Sequence, residues 1–163
     1  MNTSANVPDE ESGTEVRIRP AEAADLAQVV ALDEQITRVA KEDYWCDLHE
    51  RYQARGSGEQ FFFVADSSRA DGGNVLGFVI GEVRAWEFGS APCGWVFALS
   101  VHPDARQLGV GERLLDAISD AFKGAGVGTM RTMILRDNNL LMSFFRSEGL
   151  MAGPYIQLEK ELT

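Results

Sequence analysis

The spacing of hydrophobic positions changes several times along this chain, and each change marks an element. The sharpest change falls within residues 96–122. Val96, Phe97, Ala98, Leu99 and Val101 form a nearly continuous apolar run, the pattern of a strand covered on both faces. His102-Pro103-Asp104 breaks it, since proline cannot donate to a ladder. From there the period lengthens. Val110, Leu114, Leu115, Ile118, Ala121 and Phe122 recur at helical spacing, with Glu112, Arg113, Asp116, Ser119 and Asp120 between them.

Upstream, residues 16–19 alternate as a short strand before Pro20. Residues 25–39 place Leu26, Val29, Val30, Ile36 and Val39 on one side of a helix. A second, weaker helix covers residues 42–52 and is stopped by Gly56-Ser57-Gly58. Residues 61–65 predict a buried strand, Asp71-Gly72-Gly73-Asn74 a turn, and residues 75–86 a longer strand. The next connection, residues 87–94, holds Gly89, Pro92 and Gly94. Downstream, Lys123-Gly124-Ala125-Gly126-Val127-Gly128 is rich in glycine but follows a helix. That is the wrong polarity for a phosphate site, and it reads as a helix stop. Residues 129–135 predict a strand, 138–147 a helix and 155–158 a terminal strand. No period of about 20–50 residues recurs. The predicted order is β-α-α-β-β-β-α-β-α-β.

The length, 163 residues, suits one domain over residues 15–163 with a substantial core. The polar, acidic residues 1–14 read as a disordered lead rather than a secretory signal or a transit peptide. No apolar run approaches the roughly 20 residues of a membrane span. Cys46 and Cys93 are too few for a disulfide framework and lack metal-ligand spacing, so free thiols in a cytoplasmic protein are expected. The net charge of −10 argues against nucleic acid as a partner. Residues 1–50 hold 12 acidic and 4 basic side chains. Such a surface serves solubility, or it attracts a cationic acceptor.

Candidate chemistry sits where the strand meets the helix. Arg106-Gln107-Leu108-Gly109-Val110-Gly111 puts two glycines at the helix start. The first N–H groups of a helix lack internal partners and carry partial positive charge. A pyrophosphate fits there if no Cβ obstructs it, and Arg106 adds a full charge. The same glycines would also close a tight turn. A Walker A loop is absent, because Gly111-Glu112-Arg113 stands where Gly-Lys-Ser/Thr is needed. A dinucleotide fingerprint fails as well, since Leu114 takes the place of the third glycine. These failures disfavour a nucleoside-triphosphate enzyme.

The RQLGVG run after residues 99–105 resembles the R/Q-x-x-G-x-G/A acyl-CoA loop of the GNAT superfamily of N-acyltransferases. The run Asn138-Asn139-Leu140-Leu141-Met142-Ser143-Phe144-Phe145-Arg146-Ser147-Glu148-Gly149-Leu150 resembles that family's second signature, N-x-x-A-x-x-x-Y-x-x-x-G-F. The resemblance spans residue 16 to the end. It implies an α+β fold, a mixed, mostly antiparallel sheet flanked by helices, whose fourth and fifth strands splay around the pantetheine arm of acetyl-CoA. Those strands would be residues 96–101 and 129–135. Backbone groups of Leu99, Ser100 and Val101 would pair with the pantetheine amides. Gln107, Leu108, Gly109, Val110 and Gly111 would hold the pyrophosphate beside Arg106. Asn138 would contact the coenzyme A arm, and Phe145 would lie along it.

Amine acylation needs an uncharged nucleophile, a donor for the developing oxyanion and a proton for the departing thiolate. A free alkylamine has a pKa of about 10, so an enzyme usually supplies a general base. Here the sequence departs from the family. The tyrosine that commonly protonates the thiolate is Phe145. The glutamate of histone-type members falls at Trp95, and that of ribosomal-protein N-terminal acetyltransferases at Met133. Glu82 is the candidate base, with an ion pair to Arg84 as its plain alternative, and Glu87 comes next. His49 could line the acceptor side, although a lone histidine on a polar helix is more often solvated. Tyr44, Trp45 and Tyr52 offer an aromatic wall or core packing. The reading is an acetyl-CoA-dependent N-acetyltransferase whose acceptor is a primary amine, either a small cationic amine or a protein lysine or N-terminus. The competing class is a non-catalytic acyl-CoA-binding or sensor domain. Family members often dimerise, and the sequence leaves a homodimer open.

Overall fold

The computed structural model describes residues 15–55, 58–67 and 73–162. The acidic lead, the Gly56-Ser57 helix stop and the first half of the 71–74 turn lie outside the described residues. Five strands form one sheet in the order β1-β2-β3-β4-β5. They are β1 (Val16–Pro20), β2 (Gln60–Ser67), β3 (Val75–Arg84), β4 (Cys93–Val101) and β5 (Met130–Thr132). The first four pair antiparallel in sequence order, and β5 runs parallel to β4.

Helices cover both faces, as the continuous apolar runs of the middle strands require. On one face α1 (Leu26–Thr37) and α2 (Glu42–Arg55) bury Val29, Leu32, Trp45 and Leu48 against Phe62, Val64, Phe78 and Ile80. On the other, α3 (Val110–Gly124) packs Val110, Leu114, Leu115, Ile118 and Phe122 on Ala65, Val79 and Val96, joined by Phe145 of α4 (Asn139–Ser147). The α3 stripe is the one its spacing predicts. This helix lies so close to the sheet that a Cβ on Gly94 would stand 2.3 Å from the Phe122 ring. Only glycine fits there.

Both α3 and α4 end in the same closure. Gly126 donates to the Lys123 carbonyl and Val127 to that of Phe122, with Gly126 at φ +79°. Gly149 and Leu150 repeat this with Arg146 and Phe145, Gly149 standing at φ +82°. These left-handed glycine closures satisfy carbonyls that the helix leaves orphaned. The glycine-rich run after α3 is therefore the helix stop its position suggests.

Two strand expectations are corrected. Residues 129–135 supply only a three-residue strand, because β5 pairs with β4 at Gly94, Trp95 and Val96 and then leaves it. The terminal strand expected at residues 155–158 is not formed. Residues 151–162 are all exposed and irregular, and without a neighbour to take its N–H groups an apolar segment is not a strand. Elsewhere boundaries move by a few residues. Of these, the start of α3 at Val110 matters most, since residues 103–108 form a separate 3₁₀ turn.

Candidate active site

The site is built where β4 loses its second neighbour. Thr132 marks the fork, its hydroxyl donating to the Val96 carbonyl at 2.8 Å. Beyond it, β4 keeps β3 on one side, with Leu99, Ser100 and Val101 opposite Val79, Phe78 and Gly77. On the other side, their β5-facing backbone groups have no strand. At the fork the β3–β4 register also slips: Ile80 faces Ala98 and Gly81 faces Val96, leaving Phe97 as a bulge. A bulge frees the backbone of the extra residue and bends its strand. No residue type in the sequence announces it.

A cleft of about 380 Å³ occupies the fork. Val96 to Ser100 form one wall, Thr132, Met133 and Ile134 the other, and Leu141 and Phe145 of α4 close one side. Asp33, Thr37, Lys41, Tyr44 and Trp45 close the opposite side. A larger depression, about 580 Å³, lies between α1 and the 103–108 turn. Its polar groups serve the fold: Gln28 accepts from the Val75 N–H and His102 from the Asp104 N–H.

At the open end of β4 the chain turns through His102 and Gly109 into α3. Gly109 is the N-cap at φ +67°, with nothing within 4 Å of a Cβ placed on it. The first helical bond from this cap is Arg113 N–H to the Gly109 carbonyl at 3.1 Å. Val110, Gly111 and Glu112 thus offer N–H groups that no helical carbonyl can take. Arg106 is exposed beside them. Gly111 also has a packing role. A Cβ there would meet the Phe144 ring at 3.3 Å, so its bareness lets α4 approach α3.

The remaining candidates separate. Asn138 caps α4, accepting from the Leu141 N–H at 3.1 Å. Phe145, 4% exposed, lies in the cleft lining with no hydroxyl to offer. Glu82 sits opposite Trp95, below the fork. It accepts from Arg84 at 3.1 Å and from the Tyr52 hydroxyl at 3.3 Å, and is not in the cleft lining. Burial, with the Glu82 charge second, raises the Tyr52 pKa well above its usual value. Glu87 occupies the exposed β3–β4 turn. Tyr44 and Trp45 do wall the cleft, whereas Tyr52 does not. His49, expected in solvent, is buried at 8% exposure, with Nε2 3.3 Å from the Ala21 carbonyl.

Asp33 escaped the sequence reading. It is 5% exposed, and its Oδ2 accepts from Trp45 Nε1 at 3.0 Å and from Lys41 Nζ at 2.8 Å. It is the carboxylate in the cleft lining. The signal was available, because Val29, Leu32, Asp33 and Ile36 share one helix face, and a carboxylate in such a stripe wants an explanation.

A strand fork leading to a bare helix N-terminus is the geometry expected of an acyl-CoA site. Residues 26–149 match the acetyltransferase (GNAT) family, and the chain belongs to it. That makes it a member of a family of acyltransferases that use acetyl-CoA. Among solved structures, the chain is similar to the aminoglycoside N-acetyltransferase AAC(6')-Iy in complex with CoA. The TM-score is 0.78 at 19% identity, covering 93% of this chain and 97% of that one. It is also similar to glucosamine-6-phosphate N-acetyltransferase from Arabidopsis thaliana, at 0.70 and 16%, covering 91% and 99%. A transcriptional regulator from Bacillus halodurans C-125 scores 0.72 at 16%, covering 91% and 100%. At these identities the likeness is one of fold. No curated protein sequence matches the chain. Among the described residues no helix is long and apolar enough to cross a membrane.

Proposed function

We propose that the protein is an N-acetyltransferase that moves the acetyl group of acetyl-CoA to a primary amine. The observation that carries this is the continuity of three features: the unpaired edge of β4, the cleft at its bulge, and the exposed first turn of α3. An extended thioester with a pyrophosphate at one end has that shape and that charge. Leu99, Ser100 and Val101 offer backbone groups to the pantetheine amides. Gln107 to Gly111, with Arg106, face the pyrophosphate. Asn138 and Phe145 flank the arm from α4. Acetyl-CoA supplies the activated carbonyl, which the acceptor nitrogen attacks as the carbon–sulfur bond breaks.

Three demands then fall on this chain. The bulged backbone at Phe97 is the candidate donor to the developing oxyanion. The thiolate leaves with no hydroxyl at position 145, which is tolerable because a thiol pKa of about 8.5 makes it a fair leaving group. The acceptor ammonium must lose a proton. Glu82 is our candidate base and, lying off the cleft wall, would act through water. Asp33 is its rival inside the cleft, where a carboxylate beside Tyr44 and Trp45 also suits a cationic acceptor. The aminoglycoside N-acetyltransferase among the structural neighbours is named for polycationic acceptors of this kind, which the net charge of −10 would attract.

The test is release of free CoA thiol from acetyl-CoA across a panel of an aminoglycoside, glucosamine 6-phosphate, spermidine and a lysine peptide. Turnover that depends on one of these amines is expected. Glu82→Gln should then lower kcat by about 100-fold or more and remove the acid limb of the pH profile. If Asp33→Asn does so instead, the base is Asp33. The second reading, a non-catalytic acyl-CoA sensor, is kept by the apolar residues at positions 95, 133 and 145. Tight CoA binding with no turnover for any amine would establish it.

A further inference from the structure

The α1–α2 side of the cleft already holds an ammonium. Lys41, its side chain 34% exposed, sets Nζ 2.8 Å from Asp33 Oδ2 and 6.0 Å from the centre of the Trp45 ring. Asp33 and Trp45 are themselves buried, at 5% and 2% exposure. Trp45 Nε1 donates to the same Oδ2 at 3.0 Å, which fixes the carboxylate against the ring. All three residues line the cleft with Tyr44, whose ring meets Trp45 edge-on at 5.0 Å. A buried carboxylate beside an aromatic face is what an alkylammonium ligand needs. Lys41 is such a ligand, attached by its own stem.

Resting on the reading that the acceptor is an amine, we propose that Lys41 is a specificity-determining competitor for the acceptor: its ammonium holds Asp33 until the acceptor's displaces it. The exchange needs little backbone movement. Residues 38–41 join α1 to α2 and are tied at both ends. Arg38 donates to the Glu34 carbonyl at 2.8 Å, and Trp45 to that of Lys41 at 3.1 Å. Only the lysine stem has to turn. Arg38, Val39 and Ala40 beside it are all exposed, so its charge has water to turn into. Asp33 never stands bare, since one ammonium leaves as another arrives. A buried charge stripped of its partner would be the costly state.

The exchange ranks acceptors. A short flexible tether gives the group it carries an effective concentration on the order of millimolar. A simple monoamine offers the carboxylate the same ammonium on a similar stem. It gains nothing over Lys41 and binds only at comparable concentrations. An acceptor with a second ammonium, or with a ring to lie on the 44%-exposed Tyr44, gains contacts that the lysine cannot make. The penalty falls equally on every cation that uses Asp33, and only those with a second contact overcome it. The cleft thereby refuses small monoamines without a steric barrier.

The experiment is calorimetric titration of the full chain with n-butylamine and with spermidine. The protein is saturated with CoA rather than acetyl-CoA, so that nothing turns over. Millimolar binding of n-butylamine and tighter binding of spermidine are expected. With Lys41 on Asp33 about nine-tenths of the time, Lys41→Met should tighten both amines about tenfold and leave CoA affinity unchanged. Lys41→Arg should keep the wild-type values, and adding Asp33→Asn to Lys41→Met should abolish the gain. Equal, weaker or absent amine binding in Lys41→Met overturns the proposal, and so does a gain that survives Asp33→Asn. A measurement on the wild type covers a variant that fails to fold. In isotope-labelled protein the Lys41 side-chain nitrogen resonance should move as spermidine saturates the site; a resonance that stays put overturns the proposal. Thiol release from acetyl-CoA is read separately. Amine-dependent turnover beside an unmoved Lys41 therefore sinks this inference alone and leaves the acetyltransferase standing.

Discussion

At the β1–β2 end, Arg19 bonds both oxygens of Asp25, at 2.7 and 2.8 Å, and reaches Asp66 at 2.5 Å, where Arg17 joins it at 3.1 Å. Asp25 and Asp66 are 6% and 3% exposed. At the β4–β5 end the backbone of residues 97–101 faces a cleft, and the first N–H groups of α3 face solvent. The two ends spend similar polar capacity in opposite ways. Charges taken out of water persist when they pair with each other, so the first cluster serves the fold, although Asp66 Oδ1 is left without a hydrogen-bond partner. The second end is unsatisfied within the chain, and that is what suits it to a ligand. A dense knot of ionisable side chains is thus a poor guide to the site here.

The largest effect should come from breaking the paired end. Arg19→Ala leaves the buried Asp25 and Asp66 without the guanidinium they share and is expected to cost about 3–5 kcal/mol of stability, read from urea unfolding, while the CoA affinity of the folded protein stays unchanged in calorimetry. The next test separates packing from charge at Gly111. Gly111→Ala presses on the Phe144 ring and should cost about 1 kcal/mol of stability, with CoA affinity nearly kept. Gly111→Asp should lose roughly 100-fold in affinity, or about 2.7 kcal/mol, because it adds a negative charge in the helix turn proposed to hold the pyrophosphate. If both variants bind alike, the loop assignment fails. Arg106→Ala should weaken CoA about tenfold, less so at high salt, without moving the thermal midpoint.

The smallest effect is a pH dependence. Burial alone would raise the Asp25 and Asp66 carboxyls, but hydrogen bonds from Arg19, with the Glu22 N–H at Asp25 and Arg17 at Asp66, hold both below the usual range. A depressed carboxyl contributes stability that is full above its unfolded pKa, about 3.9, and is lost as pH falls through the lower folded value. Stability should therefore decline from about pH 4 downward, and Asp66→Ala should flatten that decline.

Much of this was legible in the sequence. The stripe from Val110 to Phe122 is buried as its spacing requires, and the two glycine closures follow helices as glycine should. What escaped depends on neighbours. Residues 129–135 have one apolar pattern but two environments, since pairing stops at Thr132. Residues 155–158 carry a strand pattern, but among the described residues no strand pairs with them. The RQLGVG motif placed the helix start, but it gave no sign that the bareness of Gly111 also makes room for Phe144, 33 positions away. His49 looked polar because its helix is, and only the contact with Ala21 and Phe62 shows otherwise.

The extra residue at Phe97 has a consequence for how β4 can vary. Val96 packs with the α3 layer, while Phe97 and Ala98 both pack with the α1–α2 layer, so the parity of the strand inverts at that point. Shortening this stretch by one residue would turn every side chain from 98 to 101 through half a rotation and move Leu99 and Val101 from the α3 layer to the opposite face, where Ala98 and Ser100 now stand. Replacement of individual residues here should be forgiving, whereas any change in the number of residues should not.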